Sequence, residues 1–461
     1  MAEPVSSPIE LPERCVSDLV RVGLASRPEN AVDGDQFHFD PDLDLFLPLL
    51  SQFNVRLVPM TVSQCPVKFC TGTINLPSVQ GRSEGSAVTT IPAGGQADTS
   101  SSAALSCLGE ISERLSLCSL GVQDSRVEVG LNLQSGIALT EALGFSEGQW
   151  NSIARRFDSY SGNSGAKDHG LRWFSGRAVN IRRLGGGMRS IYPSAGVLFG
   201  EVEQVTVRSG GFASTVGCAV WRDREGARRR ALLEFVERDA VAQAWYNRLG
   251  ITRIAREQVA ALLPQPLVDY LEESKRFWGL YSVATDLKVH IAMSVSCEAD
   301  GRRTAFGSAA GWDLGSAGKS AVTEMLQSEN ALQLMENAYP GDSGIPGEAR
   351  KQPRHLIYAK EKSVFSDFLS AAVGEGAAPD AETVFTYADL LDSCADKGID
   401  IWEFDATRSD IGIPCIKLIS RALCSWEPRF GKDRLYQGVV DRGLRKEPAT
   451  EAEFERRPFP F

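Results

Sequence analysis

The pattern E-x-x-E-R occurs twice in this chain, within SCLGEISER at 106–114 and within RALLEFVER at 230–238. The two copies lie much further apart than the ~20–50-residue period of a solenoid, which points to a large unit built twice within one fold. A third segment, AVTEMLQSEN at 321–330, sets Glu324 and Gln327 in a similar frame. On a helix advancing about 100° per residue, Ser106, Glu110 and Glu113 fall within about 60° of one another, with Arg114 at the edge. Leu105, Leu108, Ile111 and Leu115 take the other sides. Glu234, Glu237 and Arg238 repeat the arrangement, backed by Leu232, Leu233, Phe235 and Val236.

Residue chemistry leaves two readings of these faces open. Carboxylate oxygens are what a hard divalent cation such as Mg²⁺ prefers, and each arginine offers a planar fork for phosphate oxygens, so two such helices could hold a metal–nucleotide complex. Equally, Glu and Arg at i,i+4 form weak pairs on solvated helices, and the motif is common there.

The rest of the chain narrows the class. Its 461 residues can bury a sizeable core, and 43% hydrophobic content without long charge runs excludes a disordered or fibrous chain. A net charge of −10 lacks the basic footprint of a nucleic-acid binder. The start, MAEPVSSPIELPERC, has acidic residues and prolines where a signal peptide needs a positive start and an apolar core, and no apolar stretch is long enough for a bilayer. The expected location is the cytoplasm, with no membrane association. Ten cysteines without a C-x-x-C read as reduced, mostly buried residues, and four isolated histidines give no support to a zincin or a catalytic triad.

Gly-, Pro- and Ser-rich breaks at 83–102, 161–170, 185–187, 340–353 and 374–380 read as loops. Helical periodicity covers 103–117, 227–248 and 317–337; apolar runs at 55–62, 202–207, 282–285, 290–297 and 415–419 read as strands. The mixture predicts an α+β or α/β fold in one large domain, because no break is long enough to separate independent domains.

Beyond this, the residues resemble the YcaO domain family. GGQADTSSSAALSCLGEISERLS at 94–116 is similar to that family's first nucleotide motif, ALLEFVERDAVAQAW at 231–245 to its second, and FGSAAGWDLGSAGKSAVTEMLQ at 306–327 to its third. The stretch from Trp173 through Gly176 to Tyr192 and Pro193 also runs as the family does, and the likeness extends from about Val55 to the C-terminus. Three ordered motifs are far more specific than one. The chain departs from the pattern at Gln96, which stands for a lysine, at Ala97 for a glycine, and at Ala219 and Arg222, which replace two members of the piece before the second motif. The glutamate of that piece could be Glu225 only with a shift of one residue, and Glu329 stands where many members carry arginine.

The resemblance implies a single large YcaO-type α+β domain with internally duplicated ATP-binding helices, mixed sheets, no P-loop and no E1-like domain. It would comprise an N-terminal segment at 1–80, a catalytic domain at 81–447 and a proline-containing tail at 448–461. The implied cofactors are ATP and Mg²⁺. By motif position Glu110, Glu113, Glu234 and Glu237 are the implied metal ligands, and Ser106, Arg114, Arg238, Gln327 and, less directly, Glu324 face the nucleotide. The chain ends RRPFPF, and in peptide-modifying relatives a proline-rich tail enters the active site; Pro458, Pro460 and Phe461, with its carboxylate, are the implied catalytic residues, although proline-rich ends are also common as ordinary tails.

The implied activity is ATP-dependent cyclodehydration of a ribosomal precursor peptide, forming thiazoline or oxazoline rings from Cys, Ser or Thr in bacteriocin-type biosynthesis. The alternatives are thioamide or macroamidine formation, or a non-catalytic scaffold. The implied partners are the precursor peptide, an E1-like leader-binding subunit, a flavin-dependent azoline dehydrogenase, and a second copy of the chain within a larger complex.

Overall fold

The structure, a computed structural model, describes residues 11–27, 37–76, 89–130, 136–161, 176–201, 212–338, 363–372, 375–376 and 381–460. Its contacts divide the chain into two compact units. The first comprises Met1–Asp124, Ala219–Ala227 and Asp405–Ile416; the second comprises Ser125–Cys218, Arg228–Phe404 and Lys417–Phe461.

In the first unit, helix α1 (Glu13–Val22) buries Cys15, Leu19 and Val22 and ends at Gly23, whose positive φ of 80° closes the helix. Strands β1 (Val55–Met60), β2 (Lys68–Leu76) and β3 (Thr89–Ala97) follow as an antiparallel meander, and helix α2 (Ser100–Ser116) packs on it. Thr99 caps α2 by accepting the Ser102 N–H at 3.1 Å. Ala103, Cys107, Leu108, Ile111 and Leu115 turn inward to meet Leu19, Leu57 and Ile74.

Strand β3 corrects the reading of 83–102 as loop. Its glycines mark close approach rather than a turn: a Cβ on Gly95 would stand 2.2 Å from the Ala103 carbonyl oxygen and 2.4 Å from the Cys107 nitrogen. The helix thus lies on the sheet at backbone contact. Gly95→Ala is expected to cost about 1–3 kcal/mol, because the obstructing atoms are backbone and cannot rotate away. Gly109→Ala, whose new methyl would meet only Val220 at 3.7 Å, is expected to stabilise α2 by roughly 0.5–1 kcal/mol. Urea unfolding of the two variants checks the opposite signs.

The second unit repeats the device. Helix α3 (Arg224–Asn247) runs into it and buries apolar residues on almost every side, among them Ala231, Leu232, Val236, Ala240 and Trp245. Strands β4 (Val127–Val129), β5 (Arg177–Arg183), β6 (Arg189–Pro193) and β7 (Cys218–Val220) precede it. Strands β8 (Ile251–Ile254), β9 (Phe277–Val283), β10 (His290–Cys297) and β11 (Ala305–Gly311) follow, and then helix α4 (Leu314–Ala338). β9, β10 and β11 form an antiparallel meander under α4, and a Cβ on Gly307 would stand 2.2 Å from the Ala321 carbonyl oxygen. The duplicated element is therefore three strands plus a helix, β1-β2-β3-α2 and β9-β10-β11-α4. In this pairing the counterpart of α2 is α4, while the second E-x-x-E-R sits on α3.

The five-stranded sheet has the order β11-β10-β9-β8-β12, where β12 is the short parallel strand Glu375–Gly376 inside the predicted loop 374–380. A second sheet, with strands β13 (Ile401–Asp405) and β14 (Cys415–Ser420), has the order β4-β5-β13-β14-β7, with β6 paired to β5. The predicted turn at 185–187 joins β5 to β6. The predicted strand 202–207, the predicted loop 340–353 and residues 162–170 lie outside the described residues. None of the ten cysteines forms a disulfide, and eight are buried. Among the described residues no helix is long and apolar enough to cross a membrane.

Candidate active site

On α2, Ser106 is exposed while Glu110, Glu113 and Arg114 are half-buried. Glu110 accepts the Gly94 N–H of β3 at 2.7 Å and pairs with Arg114, which donates to the Pro92 carbonyl at 2.5 Å. The glycine-rich lead and the helix thus meet through Glu110: β3 is an edge strand of its sheet, and its amide is aimed at a carboxylate. The departures from the family pattern find local uses. Arg222 pairs with Asp42 at 2.5 Å, Ala219 is buried, and Glu225 is exposed on the first turn of α3.

In the second unit the acidic residues come from two helices. Glu237 of α3 is 6% exposed; it pairs with Arg238 and accepts the Ser308 hydroxyl at 2.6 Å. Glu324 of α4 accepts the Ser308 N–H at 2.9 Å. One residue of β11 therefore links both carboxylates. Burial pushes the Glu237 carboxyl up to about 8, with Glu324 and Glu234 adding like-charge repulsion against the opposing pull of Arg238. Glu234 is also raised by burial, and is held down by Arg238, by Lys417 and by the Cys218 and Gly217 amides. Arg238 lies 3.4 Å from Glu234. Gln327 is half-buried on α4, one turn beyond Glu324. Glu329 pairs with Arg276 at 3.0 Å and accepts the Ser296 hydroxyl, which makes it part of the sheet–helix contact.

The tail is seated in the same unit. Thr450 and Glu453 form a capping box that starts α5 (Glu451–Glu455). Arg457 donates to the Tyr246 carbonyl at 2.9 Å and its own carbonyl accepts the Trp245 indole N–H at 2.8 Å. Pro458 is half-buried, Phe459 and Pro460 are buried, and Phe461 lies outside the described residues. Phe459 stacks on Trp426 with centroids 4.6 Å apart and planes 8° apart, and the Arg238 guanidinium lies over the same indole at 3.7 Å. Two groups at those distances cannot share one face, so Trp426 separates the tail from Arg238.

Mg²⁺ suits this donor set. The side chains are hard carboxylates, and burial, with Glu324 and Glu234 adding repulsion, raises Glu237 even beside Arg238. Among the described residues, no three His, Cys, Asp or Glu side chains are already gathered to hold a metal ion. The carboxylates are turned instead to Ser308, Gly94 and the arginines. Sequence reasoning missed Ser308, Lys417 and Trp426; of these only Ser308 had a signal, as the polar residue beside a strand glycine in the third motif.

Residues 94–422 match the YcaO cyclodehydratase family, which is described as ATP- and Mg²⁺-binding. Among solved structures, a heterocyclase in complex with substrate and cofactor is similar with a TM-score of 0.69 at 21% identity, covering 91% of this chain and 57% of its own. The heterocyclase TruD has a TM-score of 0.57 at 21% identity, covering 77% of this chain and 50% of its own. YcaO from Methanopyrus kandleri, bound with AMPPCP and Mg²⁺, has a TM-score of 0.54 at 15% identity, covering 86% of this chain and 91% of its own. At these identities the likeness is one of fold, and the chain spans about half the length of the two heterocyclases. No curated protein sequence matches the chain.

Proposed function

The chain belongs to the YcaO family, whose cofactors are ATP and Mg²⁺, and on that premise we propose that it is a peptide cyclodehydratase that forms azoline rings in a ribosomal precursor peptide. Bound Mg²⁺–ATP would supply the phosphoryl group that makes a backbone amide oxygen a good leaving group, so that a Cys, Ser or Thr side chain closes the ring. The observation that carries the reading is the trio Glu234, Glu237 and Glu324, with Arg238 paired to the first two and Ser308 linking the last two, where burial and then like-charge repulsion raise Glu237 to about 8.

In this reading Glu110 and Glu113 would be metal ligands in the first unit, and Glu234 and Glu237 in the second. Toward the nucleotide, the first unit would offer Ser106 and Arg114 and the second Arg238, Gln327 and Glu324, the guanidinium groups being suited to neutralise charge on phosphate oxygens. Ser308 keeps the Glu237 and Glu324 carboxylates at a fixed separation before any ligand arrives. Trp426 shields one face of Arg238 from water, which strengthens its electrostatic pull. The tail residues Pro458, Pro460 and Phe461 enter the active site, anchored by Phe459. Leader recognition falls to an E1-like partner subunit, and oxidation of azolines to azoles falls to a flavin-dependent dehydrogenase within a larger complex that contains a homodimer of this chain.

Mass spectrometry of a precursor peptide incubated with the protein, its partner subunit and Mg²⁺–ATP tests the reading. The expected result is loss of one water mass per ring with equivalent phosphate release. Replacement of an oxygen by sulfur, or ring closure by an amine, would reassign the product; absence of ATP turnover by the complete complex would leave a scaffold role.

A further inference from the structure

Lys417 on β14 is 5% exposed, a costly place for an ammonium unless the protein uses it. It donates to the Ser214 carbonyl at 2.8 Å and also to the Val216 carbonyl. Both carbonyls belong to the turn that leads into β7. Gly217 holds that turn in the left-handed region at φ 71°, and a Cβ there would stand 3.1 Å from the Phe235 ring. The Leu418 N–H fixes it further by donating to the Gly217 carbonyl at 2.7 Å, and the Cys218 N–H closes it onto the Thr215 carbonyl at 2.9 Å. The amides of Gly217 and Cys218 are also the backbone groups that stabilise the Glu234 carboxylate. One turn thus presents carbonyls to a buried cation and amides to a half-buried carboxylate. The cavity that Lys417 lines, with Ser214, Val216, Glu427 and Arg429, measures about 60 Å³, room for ordered water but far below what a nucleotide or peptide needs. The ammonium therefore acts on the protein.

We propose that Lys417 is a positioning residue for Glu234: it clamps the turn at 214–217 so that the Gly217 and Cys218 amides fix the Glu234 carboxylate for the Mg²⁺–nucleotide. The inference rests on the reading of Glu234 as a metal ligand. Supporting residues of this kind typically contribute about 10- to 100-fold to metal affinity.

The test is calorimetric binding of a non-hydrolysable ATP analogue at graded Mg²⁺, with the full chain as wild type, K417M, E234Q and the double variant, and with folding of each checked by circular dichroism and thermal unfolding. Folded K417M is expected to need about tenfold more Mg²⁺ for half-saturation, and to add no further loss on the E234Q background, because both changes act through one carboxylate. If K417M does not fold, K417Q, which keeps a donor for one carbonyl, is expected to show a smaller shift with the same non-additivity. Unchanged Mg²⁺ dependence in the folded variant, or full additivity with E234Q, overturns the inference and leaves the proposed function intact. E234Q binding like the wild type removes Glu234 from the metal and the inference with it; a wild type that binds no Mg²⁺–nucleotide overturns both.

Discussion

Glu237→Gln is expected to lower ATP turnover about 10²- to 10³-fold, the scale on which losing one preorganised electrostatic partner of a transition state acts, while leaving the metal-free protein at least as stable as the parent. The two halves share one cause. In the metal-free state the carboxylate is buried, repelled by Glu324 and Glu234, and raised to about 8. Glutamine keeps the shape and an acceptor for the Ser308 hydroxyl, and Arg238 retains Glu234 at 3.4 Å and the Trp426 ring. The carboxylate that costs the empty protein stability once it ionises is the one a divalent cation needs.

The pH dependence carries a sign. With the folded value near 8 and the ordinary value of 4.5 in the unfolded chain, the folded state binds the extra proton between those limits. Stability of the wild type in chelator therefore falls as pH rises from 4.5 through 8, and E237Q removes that contribution. Thermal unfolding in chelator at pH 6 and pH 9, beside phosphate release with Mg²⁺–ATP, measures both halves. Wild-type phosphate release by E237Q would exclude Glu237 from the metal.

Elements set by local pattern were legible in the sequence, while features set by distant contacts were not. Helix α2 follows from its apolar spacing, and β10 begins and ends where its apolar run does, at His290 and Cys297. Strand β9 extends further toward the N-terminus than its apolar signal, because FWGLYSV is buried on both faces and shows no alternation. β3 was hidden by Gly94 and Gly95, read as turn formers when Gly95 serves the contact with α2. The E-x-x-E-R repeat followed the chemistry of a helix face, whereas the structural duplication follows the position of a helix on its meander, and only α2 satisfies both. In the site, helical spacing was enough to bring out the paired glutamates of α2 and α3. The roles of Ser308, Lys417 and Trp426 depend on partners 71, 203 and more than 180 residues away in sequence, so no local pattern could mark them. In the tail the sequence signal lies in the prolines and the last residue, yet the side chain that anchors it is Phe459.

Phe459→Ala is expected to abolish ring formation while nucleotide binding changes only a few-fold. Phe459 is 4% exposed, stacks on Trp426 and stands edge-on to Trp245 at 5.1 Å and to Phe306 at 5.6 Å. Truncating a phenylalanine so enclosed costs about 3–5 kcal/mol when the surroundings cannot relax. A terminal segment has a cheaper escape, since it can leave its seat and hydrate, so the loss should appear chiefly as local opening. Hydrogen exchange should accelerate at the Trp245 indole N–H, whose acceptor is the Arg457 carbonyl. Arg238 keeps its carboxylate partners, which limits the effect on nucleotide, but Trp426 loses its stacked neighbour and Pro458 and Pro460 lose their anchor. Phe459→Leu, which restores apolar bulk without a parallel ring, should recover docking and part of the activity. Protection at Trp245 and product yield would then fall together in the alanine variant and recover together in the leucine variant. An alanine variant whose tail opens but whose rings still form would remove the tail from the reaction.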